Sequence, residues 1–357
     1  MDWRERSQIT DDVVYFRYVP ESLEANVQDV FVWDLDKTYL DTSIDSLSGI
    51  LMTAMERALA KKNVPGTSTL LQSLSQAWTS AHQQSRLPIY FITASPPQME
   101  ARILEKFEID GIRPFGCFYK DNLKNLHPKR WWRLRRQVGY KIQALLQLRT
   151  RLREDVRQVL WGDDSESDAI IYNLYSDICA RRISAQEIRN VLRSFFVTGE
   201  QVDRILALQA NVPESDPVDR IYINLATDTD ADWYLKFGRR TLPISNYFQV
   251  AVDLFQDQRI SSDSVLSIAQ DMIFNYRFSP EELVSSFEEL LRARVLGAQC
   301  VERLLPIFID KGVVPAGYKP AFAAPKEVRV ENGRVYELEG QFEPWVQERI
   351  DYLHDYR

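Results

Sequence analysis

The chain has 357 residues, of which 45% are hydrophobic and 27% charged, and its formal net charge is −7. This length and balance predict two folded domains, or one domain with a large extension, and argue against global disorder. The mild negative charge argues against non-specific nucleic-acid binding, so no nucleic-acid partner is expected. Three widely separated cysteines form no disulfide framework. Without an apolar signal core or an apolar run of about 18 residues, the expected location is the cytoplasm.

Short apolar runs alternate with helical patterns through the first half of the chain. The predicted strands are residues 27–35, 87–93, 156–161 and 177–183. The predicted helices are residues 46–62, 69–84, 96–107, 140–152 and 169–175. This alternation predicts an α/β fold with a doubly wound parallel sheet and right-handed crossovers.

The second half of the chain is mainly helical in its pattern. Several helices begin with the same kind of signal, and the pairs Ser184–Glu187 and Ser279–Glu282 predict capping boxes. Residues 220–227 predict a strand within this region, and residues 327–338 predict a hairpin. We therefore predict a first domain over residues 1–183, a helical domain over 184–312, and a linker, hairpin and terminal helix over 313–357.

Two acids stand where the first predicted strand gives way to a loop. Asp34 and Asp36 belong to the run Asp-Leu-Asp-Lys-Thr. One carboxylate can attack phosphorus, and a second can protonate the leaving oxygen and then activate water. Because two acids and a phosphate repel one another, this chemistry needs a cation, and Mg²⁺ is the expected cofactor. The alternative interpretation is an Asp-rich loop that caps the next helix.

Polar residues also follow the second predicted strand and begin a later helix. Thr93 comes 59 residues after Asp34, and its hydroxyl, with that of Ser95, is suited to holding phosphoryl oxygens. Lys141 lies at the start of a predicted helix, where a cation is unfavourable for the helix dipole and a phosphate-facing role is more plausible. A turn residue and a surface lysine are the simpler interpretations of Thr93 and Lys141.

The third predicted strand ends in Gly-Asp-Asp-Ser-Glu-Ser-Asp. Asp163 is expected to complete the magnesium site together with Asp34 and Asp36. Asp164 or Asp168 is expected to support these magnesium ligands without binding the metal itself. Because the carboxyl ends of parallel strands meet at one edge of a sheet, we expect all these groups to converge there. The alternative is a helix-capping loop.

In this order, Asp-Leu-Asp-Lys-Thr, Thr93, Lys141 and the Gly-Asp-Asp segment resemble the four motifs of the haloacid dehalogenase superfamily. The helical segment around Lys141 and the segment 159–175 are similar to the corresponding segments of phosphatidate phosphatases of the actin-patch-associated type. This resemblance covers about residues 27–183 and implies hydrolysis of a phosphomonoester, including a lipid phosphate. The chain departs from the family at Lys37, Asp164 and Ser165, and the helical half has no counterpart in it.

The spacing between the motifs leaves room for only modest caps, which suits a phosphate on a large substrate. The segment Lys124–Arg136 combines many basic residues with Trp131 and Trp132. Positive charge attracts anionic lipid and indoles favour the membrane interface, so peripheral membrane contact is one interpretation. The same residues could hold an anionic substrate, or form a solvated helix face with the indoles packed inward.

Two other functions remain open from the sequence. The first is a phosphatase of the same fold that acts on a protein, sugar or nucleotide phosphate. The second is a non-catalytic scaffold that binds magnesium or a phosphate while the helical half recruits a partner. The complete set of acids favours an enzyme, since a decayed site would be expected to lack one of them.

Overall fold

The computed structural model describes residues 2–19, 27–41, 63–82, 86–121, 137–165, 167–226, 228–324, 328–331, 334–337 and 344–353. The chain packs into two compact units. The first consists of Met1–Lys61, Pro88–Pro243 and Glu343–Arg357, and the second of Lys62–Leu87 and Ile244–Phe342. The predicted domain limits at residues 183 and 312 do not coincide with the limits of these units. The predicted helix over residues 46–62 and the segment Lys124–Arg136 lie outside the described residues.

An eight-stranded sheet forms the centre of the first unit, within the described part of the chain. Its strands are β1 (Ser7–Thr10), β2 (Val13–Arg17), β3 (Asp29–Asp34), β4 (Ile89–Ile92), β5 (Gly116–Lys120), β6 (Arg157–Asp163), β7 (Val218–Asn224) and β8 (Thr241–Ile244). Their order is β1-β2-β5-β4-β3-β6-β7-β8. The strands from β5 to β7 in this order are parallel, and β2 pairs antiparallel with β1 and β5. The predicted α/β fold is confirmed, and the sheet, predicted as parallel, is mostly parallel with an antiparallel edge at β1 and β2.

The middle strands are hydrophobic along their whole length because both faces of the sheet are covered. In β3, residues 30–33 are at most 1% exposed, as expected of an interior parallel strand. Trp33 of β3 pairs in register with Trp161 of β6, and their rings stack with centroids 4.7 Å apart. This pairing brings the carboxyl ends of β3 and β6 side by side.

Ten α-helices accompany the strands in the described residues. They are α1 (Thr67–Ala81), α2 (Glu100–Ile109), α3 (Gln137–Arg149), α4 (Asp168–Cys179), α5 (Ala185–Ser194), α6 (Gly199–Gln209), α7 (Tyr247–Gln256), α8 (Ser262–Tyr276), α9 (Pro280–Arg292) and α10 (Ala298–Asp310). Helices α2 to α6 belong to the first unit. The predicted capping boxes at Ser184 and Ser279 are confirmed, and Thr198 with Gln201 forms a third.

The predicted strand over residues 177–183 is wrong. Residues 177–179 complete α4, and Ser184 then caps α5. Ile178 is fully buried one turn after Leu174, so it continues the apolar face of the helix instead of starting an alternating strand. The next parallel strand is β7, which confirms the strand predicted at residues 220–227 and pairs it with β6. Strands β1, β2, β5 and β8 were not predicted.

The second unit is largely helical and contains α1 and α7 to α10. Its interior is apolar, with the rings of Phe287 and Phe308 in edge contact at 5.9 Å between centroids. The predicted hairpin is confirmed by the antiparallel pair β9 (Val328–Glu331) and β10 (Arg334–Glu337). Among the described helices, none has both the length and the hydrophobicity that crossing a lipid bilayer requires.

Candidate active site

Three carboxylates meet at the carboxyl ends of β3 and β6. Asp34 is the last residue of β3, Asp163 is the last residue of β6, and Asp168 begins α4. One carboxylate oxygen from each lies within 4.8 Å of the others, and each residue is at most 2% exposed. Neighbouring strands therefore carry Asp34 and Asp163, and the short turn after the second strand leads to Asp168.

Lys141 enters this group from α3. Its ammonium nitrogen lies 2.7 Å from Asp34 Oδ1 and 2.6 Å from Asp168 Oδ1, and the lysine is 1% exposed. Three carboxylates and one ammonium leave two negative charges in excess in a buried place. Burying an excess of like charge is costly. A donor set made of carboxylate oxygens fits a hard divalent cation such as Mg²⁺, which would neutralise the excess.

Gly162 makes room for the third carboxylate. Asp168 Oδ2 accepts a hydrogen bond of 3.2 Å from the backbone N–H of Asp163. A Cβ atom at position 162 would lie 2.4 Å from Asp168 Oδ2, closer than any side chain tolerates. The glycine of the Gly-Asp-Asp segment is therefore required by the approach of Asp168 to the strand end.

Asp36 lies beside this group and is held from β4. Its Oδ2 accepts a hydrogen bond of 2.9 Å from Thr93 Oγ1, which in turn accepts one of 3.0 Å from the backbone N–H of Ser95. We predicted that Asp36 would join Asp34 and Asp163, but among the described residues it is the Asp168 carboxylate that completes the group. Strand alternation does not extend to Asp36, because β3 ends at Asp34 and the chain turns at Lys37, whose φ is 59°.

The remaining predicted residue, Asp164, contacts a different element. Its Oδ2 accepts a hydrogen bond of 2.9 Å from the backbone N–H of Ala226 and another from the hydroxyl of Thr229. Ser165 instead contacts the group of three carboxylates, since its backbone N–H donates to Asp163 Oδ1 at 2.6 Å. Asp164 thus fixes the loop after β7, where we had expected it to support the metal ligands.

Asn224 was not identified from the sequence. It is the last residue of β7, and its side-chain amide donates to the carbonyl of Lys37 at 3.2 Å. The signal that would have found it is the same strand-end rule that located Asp34 and Asp163. It was missed because the strand was assigned to a separate helical domain.

Two buried tyrosines donate hydrogen bonds to backbone carbonyls near the site. Tyr140 donates to the carbonyl of Thr93, and Tyr172 donates to the carbonyl of Trp161, each at 2.8 Å. Burial raises the pKa of both phenols well above the usual value, and for Tyr172 the negative charge of Asp168 raises the pKa further. Both phenols therefore stay protonated and act as fixed donors to the strand ends.

Comparison with protein families gives a match to part of the chain. Residues 30–190 match the family model described as Phosphatidate phosphatase APP1, catalytic domain. The match covers less than half of the chain but includes every site residue predicted above, and it supports a phosphatidate phosphatase-like region there. Searches of curated proteins and of solved structures found no match.

Proposed function

We propose that this chain is a Mg²⁺-dependent phosphomonoester hydrolase of the haloacid dehalogenase type, in which Asp34 is the nucleophile. The observation that carries the proposal is the position of Asp34. It ends a central parallel strand, is bound by Lys141, and lies beside two further buried carboxylates, with Asp36 held two residues later. The match to a phosphatidate phosphatase family model over residues 30–190 supports the same reaction class.

The residues fit the cation that this chemistry requires. Asp34, Asp163 and Asp168 would hold Mg²⁺, because all three offer hard oxygen donors within 4.8 Å of one another. When bound, the cation supplies electrostatic stabilisation of a phosphoryl group that would otherwise be repelled by the acids. Ser165 keeps Asp163 oriented through its backbone N–H.

In the first half-reaction, a carboxylate oxygen of Asp34 attacks the phosphorus atom of the ester. The new bond joins Asp34 to phosphorus, and the bond between phosphorus and the ester oxygen breaks. Asp36, in its protonated form, gives its proton to the departing oxygen, so that an alcohol leaves. The hydrogen bond from Thr93 holds the Asp36 carboxyl group in place for this transfer.

In the second half-reaction, the Asp36 carboxylate removes a proton from a water molecule. The water oxygen attacks phosphorus, the bond between Asp34 and phosphorus breaks, and inorganic phosphate leaves. Lys141 stabilises the regenerated Asp34 carboxylate through their 2.7 Å ion pair. Ser95, which follows β4, is proposed to hold a phosphoryl oxygen through its hydroxyl. The Thr93 hydroxyl, which we also expected to do so, donates to Asp36 instead.

The substrate class we propose is phosphatidate or another lipid phosphate. The printed name of the matching family supports this choice, and the segment Lys124–Arg136 would contact an anionic membrane through its basic residues and indoles. That segment lies outside the described residues, so its support comes from the sequence alone. A protein, sugar or nucleotide phosphate is the alternative substrate.

The test is release of inorganic phosphate from phosphatidate in mixed micelles, with and without Mg²⁺. A soluble aryl phosphate, a phosphopeptide, a sugar phosphate and a nucleoside monophosphate are assayed in parallel. We expect Mg²⁺-dependent release that is lost in the variant Asp34→Asn and is fastest with phosphatidate.

Faster hydrolysis of a soluble ester would keep the reaction and reject the lipid substrate. A wild-type chain that binds Mg²⁺ yet hydrolyses none of these esters would indicate a scaffold.

A further inference from the structure

The carboxyl end of β7 lies outside the matched residues 30–190. It holds the loop that carries Asp36, the proposed general acid. Asn224 ends β7, which pairs with β6 so that Asn224 is in register with Asp163. Its side-chain Nδ2 donates to the carbonyl oxygen of Lys37 at 3.2 Å. Lys37 directly follows Asp36, so this hydrogen bond fixes the peptide next to the acid.

The Lys37 backbone is in the left-handed region, with a φ of 59°. This conformation is unfavourable for a residue with a Cβ atom, so other contacts must hold it. Within the loop, the Lys37 N–H donates to the carbonyl of Leu40 at 2.8 Å. Across the sheet, Asn224 holds the Lys37 carbonyl.

The loop is thereby held from both sides of β3. From the residue after β4, Thr93 Oγ1 donates to the Asp36 carboxylate at 2.9 Å. From β7, two strands away on the other side, Asn224 holds the following carbonyl. One contact orients the side chain of the acid, and the other fixes the backbone from which that side chain extends.

Asn224 is itself held by the Gly-Asp-Asp turn at the end of β6. The backbone N–H of Asp164 donates to the Asn224 carbonyl at 3.1 Å. The Asp164 carboxylate binds the chain that follows, through Ala226 and Thr229. This gives a continuous link from the Gly-Asp-Asp turn, through Asn224, to the loop of Asp36.

We propose that Asn224 is a positioning residue for the general acid Asp36, and that Asp164 serves the reaction through Asn224. The inference rests on the proposed phosphatase function. If it holds, losing the Asn224 amide weakens proton donation to the leaving group. Binding of the phosphoryl group and attack by Asp34 are then affected little.

The dependence on leaving group separates this role from a structural one. A poor alcohol leaving group needs the proton of Asp36, whereas a nitrophenolate departs nearly without it. For Asn224→Ala we expect kcat with an alkyl phosphomonoester to fall about 10- to 100-fold, with KM within about twofold. The burst rate with 4-nitrophenyl phosphate, which reports the first half-reaction, should change less than about twofold. Asn224→Asp, which keeps the size but removes the donor, should show the same pattern.

The matched control is Asn211→Ala. Asn211 makes the same kind of bond, from its Nδ2 to the carbonyl of Ala207 at 2.9 Å, in the exposed turn just after α6. The Asn211→Ala variant should leave unchanged both kcat with the alkyl ester and the burst rate with 4-nitrophenyl phosphate. Equal losses with the two substrates, or no loss with either, would overturn the positioning role while wild-type hydrolysis still supported the phosphatase. Absence of hydrolysis by the wild type would instead reject the phosphatase itself.

Discussion

Two charge clusters in the first unit, one buried and one partly buried, are built in opposite ways. The candidate active site places three carboxylates around one lysine and has two negative charges in excess. The second cluster joins α4 to the residues before β7 and β8, and its two acids and two arginines cancel. Its ionic members are Asp177, Arg182, Asp216 and Arg240.

The second cluster is also satisfied by hydrogen bonds. Asp216 accepts from Arg240 at 2.7 Å, from Arg182 at 3.0 Å, from Ser176 at 2.9 Å and from the backbone N–H of Val218 at 3.0 Å. Burial by itself would raise the pKa of Asp216, but Arg240, Arg182 and these hydrogen bonds outweigh burial and lower it. Such a balanced network stabilises a fold, whereas unbalanced acids mark a place where a ligand completes the charge.

The largest expected effect separates activity from stability at Asp34. Asp34→Asn removes the proposed nucleophile, so we expect kcat to fall by at least about 10⁴-fold. Because the variant also removes one of the two excess negative charges, the free energy of unfolding without Mg²⁺ should stay equal or rise. Phosphate release and urea unfolding measure the two quantities. A variant that retains more than a tenth of the wild-type rate would remove Asp34 from its role.

The next effect is the response of stability to Mg²⁺. A ligand that binds only the folded chain adds about 2.7 kcal/mol to the free energy of unfolding at 100 times its dissociation constant. We expect this gain for the wild type, and little of it for Asp163→Asn, which weakens the donor set. Urea unfolding with and without Mg²⁺ is the measurement. Equal gains in both proteins would place the cation elsewhere.

A smaller loss is expected when the balanced cluster is broken. Asp216→Asn leaves Arg240, which is 1% exposed, without its ionic partner. We expect the free energy of unfolding to fall by roughly 2 kcal/mol, below the figure for a fully buried pair because Asp216 is partly exposed. Phosphatase activity should be unchanged.

The control for this loss is Asp203→Asn. It breaks the exposed pair Asp203–Arg189, whose atoms are also 2.7 Å apart. An exposed pair is worth less than about 1 kcal/mol. A loss in Asp216→Asn no larger than in this control would contradict the assigned structural role.

The smallest effect is the dependence of the second cluster on pH. Since the folded-state pKa of Asp216 lies below its usual value of 3.8, its charge stabilises the fold above that value. This stabilisation is lost as the pH falls through the folded-state pKa. The stability difference between the wild type and Asp216→Asn should therefore stay constant from about pH 7 to 5 and shrink below about pH 4. A difference that grows on acidification would contradict this sign.

The sequence predicted the sheet and the site to different extents. Strands β3, β4 and β6 were predictable because interior parallel strands are continuous apolar runs. The strand proposed at residues 177–183 failed because a few apolar residues at the end of a buried helix have no clear period. Strand β7 was recognised but assigned to the wrong region, since no local pattern records which strand it pairs with.

By itself, the sequence determined that acids follow buried strands, and that a lysine and a threonine stand between them along the chain. It also determined the capped helix starts, because a capping box is a contact within four residues. Only the tertiary structure decided that Asp168 joins Asp34 and Asp163, and that Asn224 reaches Lys37, 187 residues away along the chain. The physical reason is that strand order and register, set by packing across the whole sheet, determine which strand ends become neighbours.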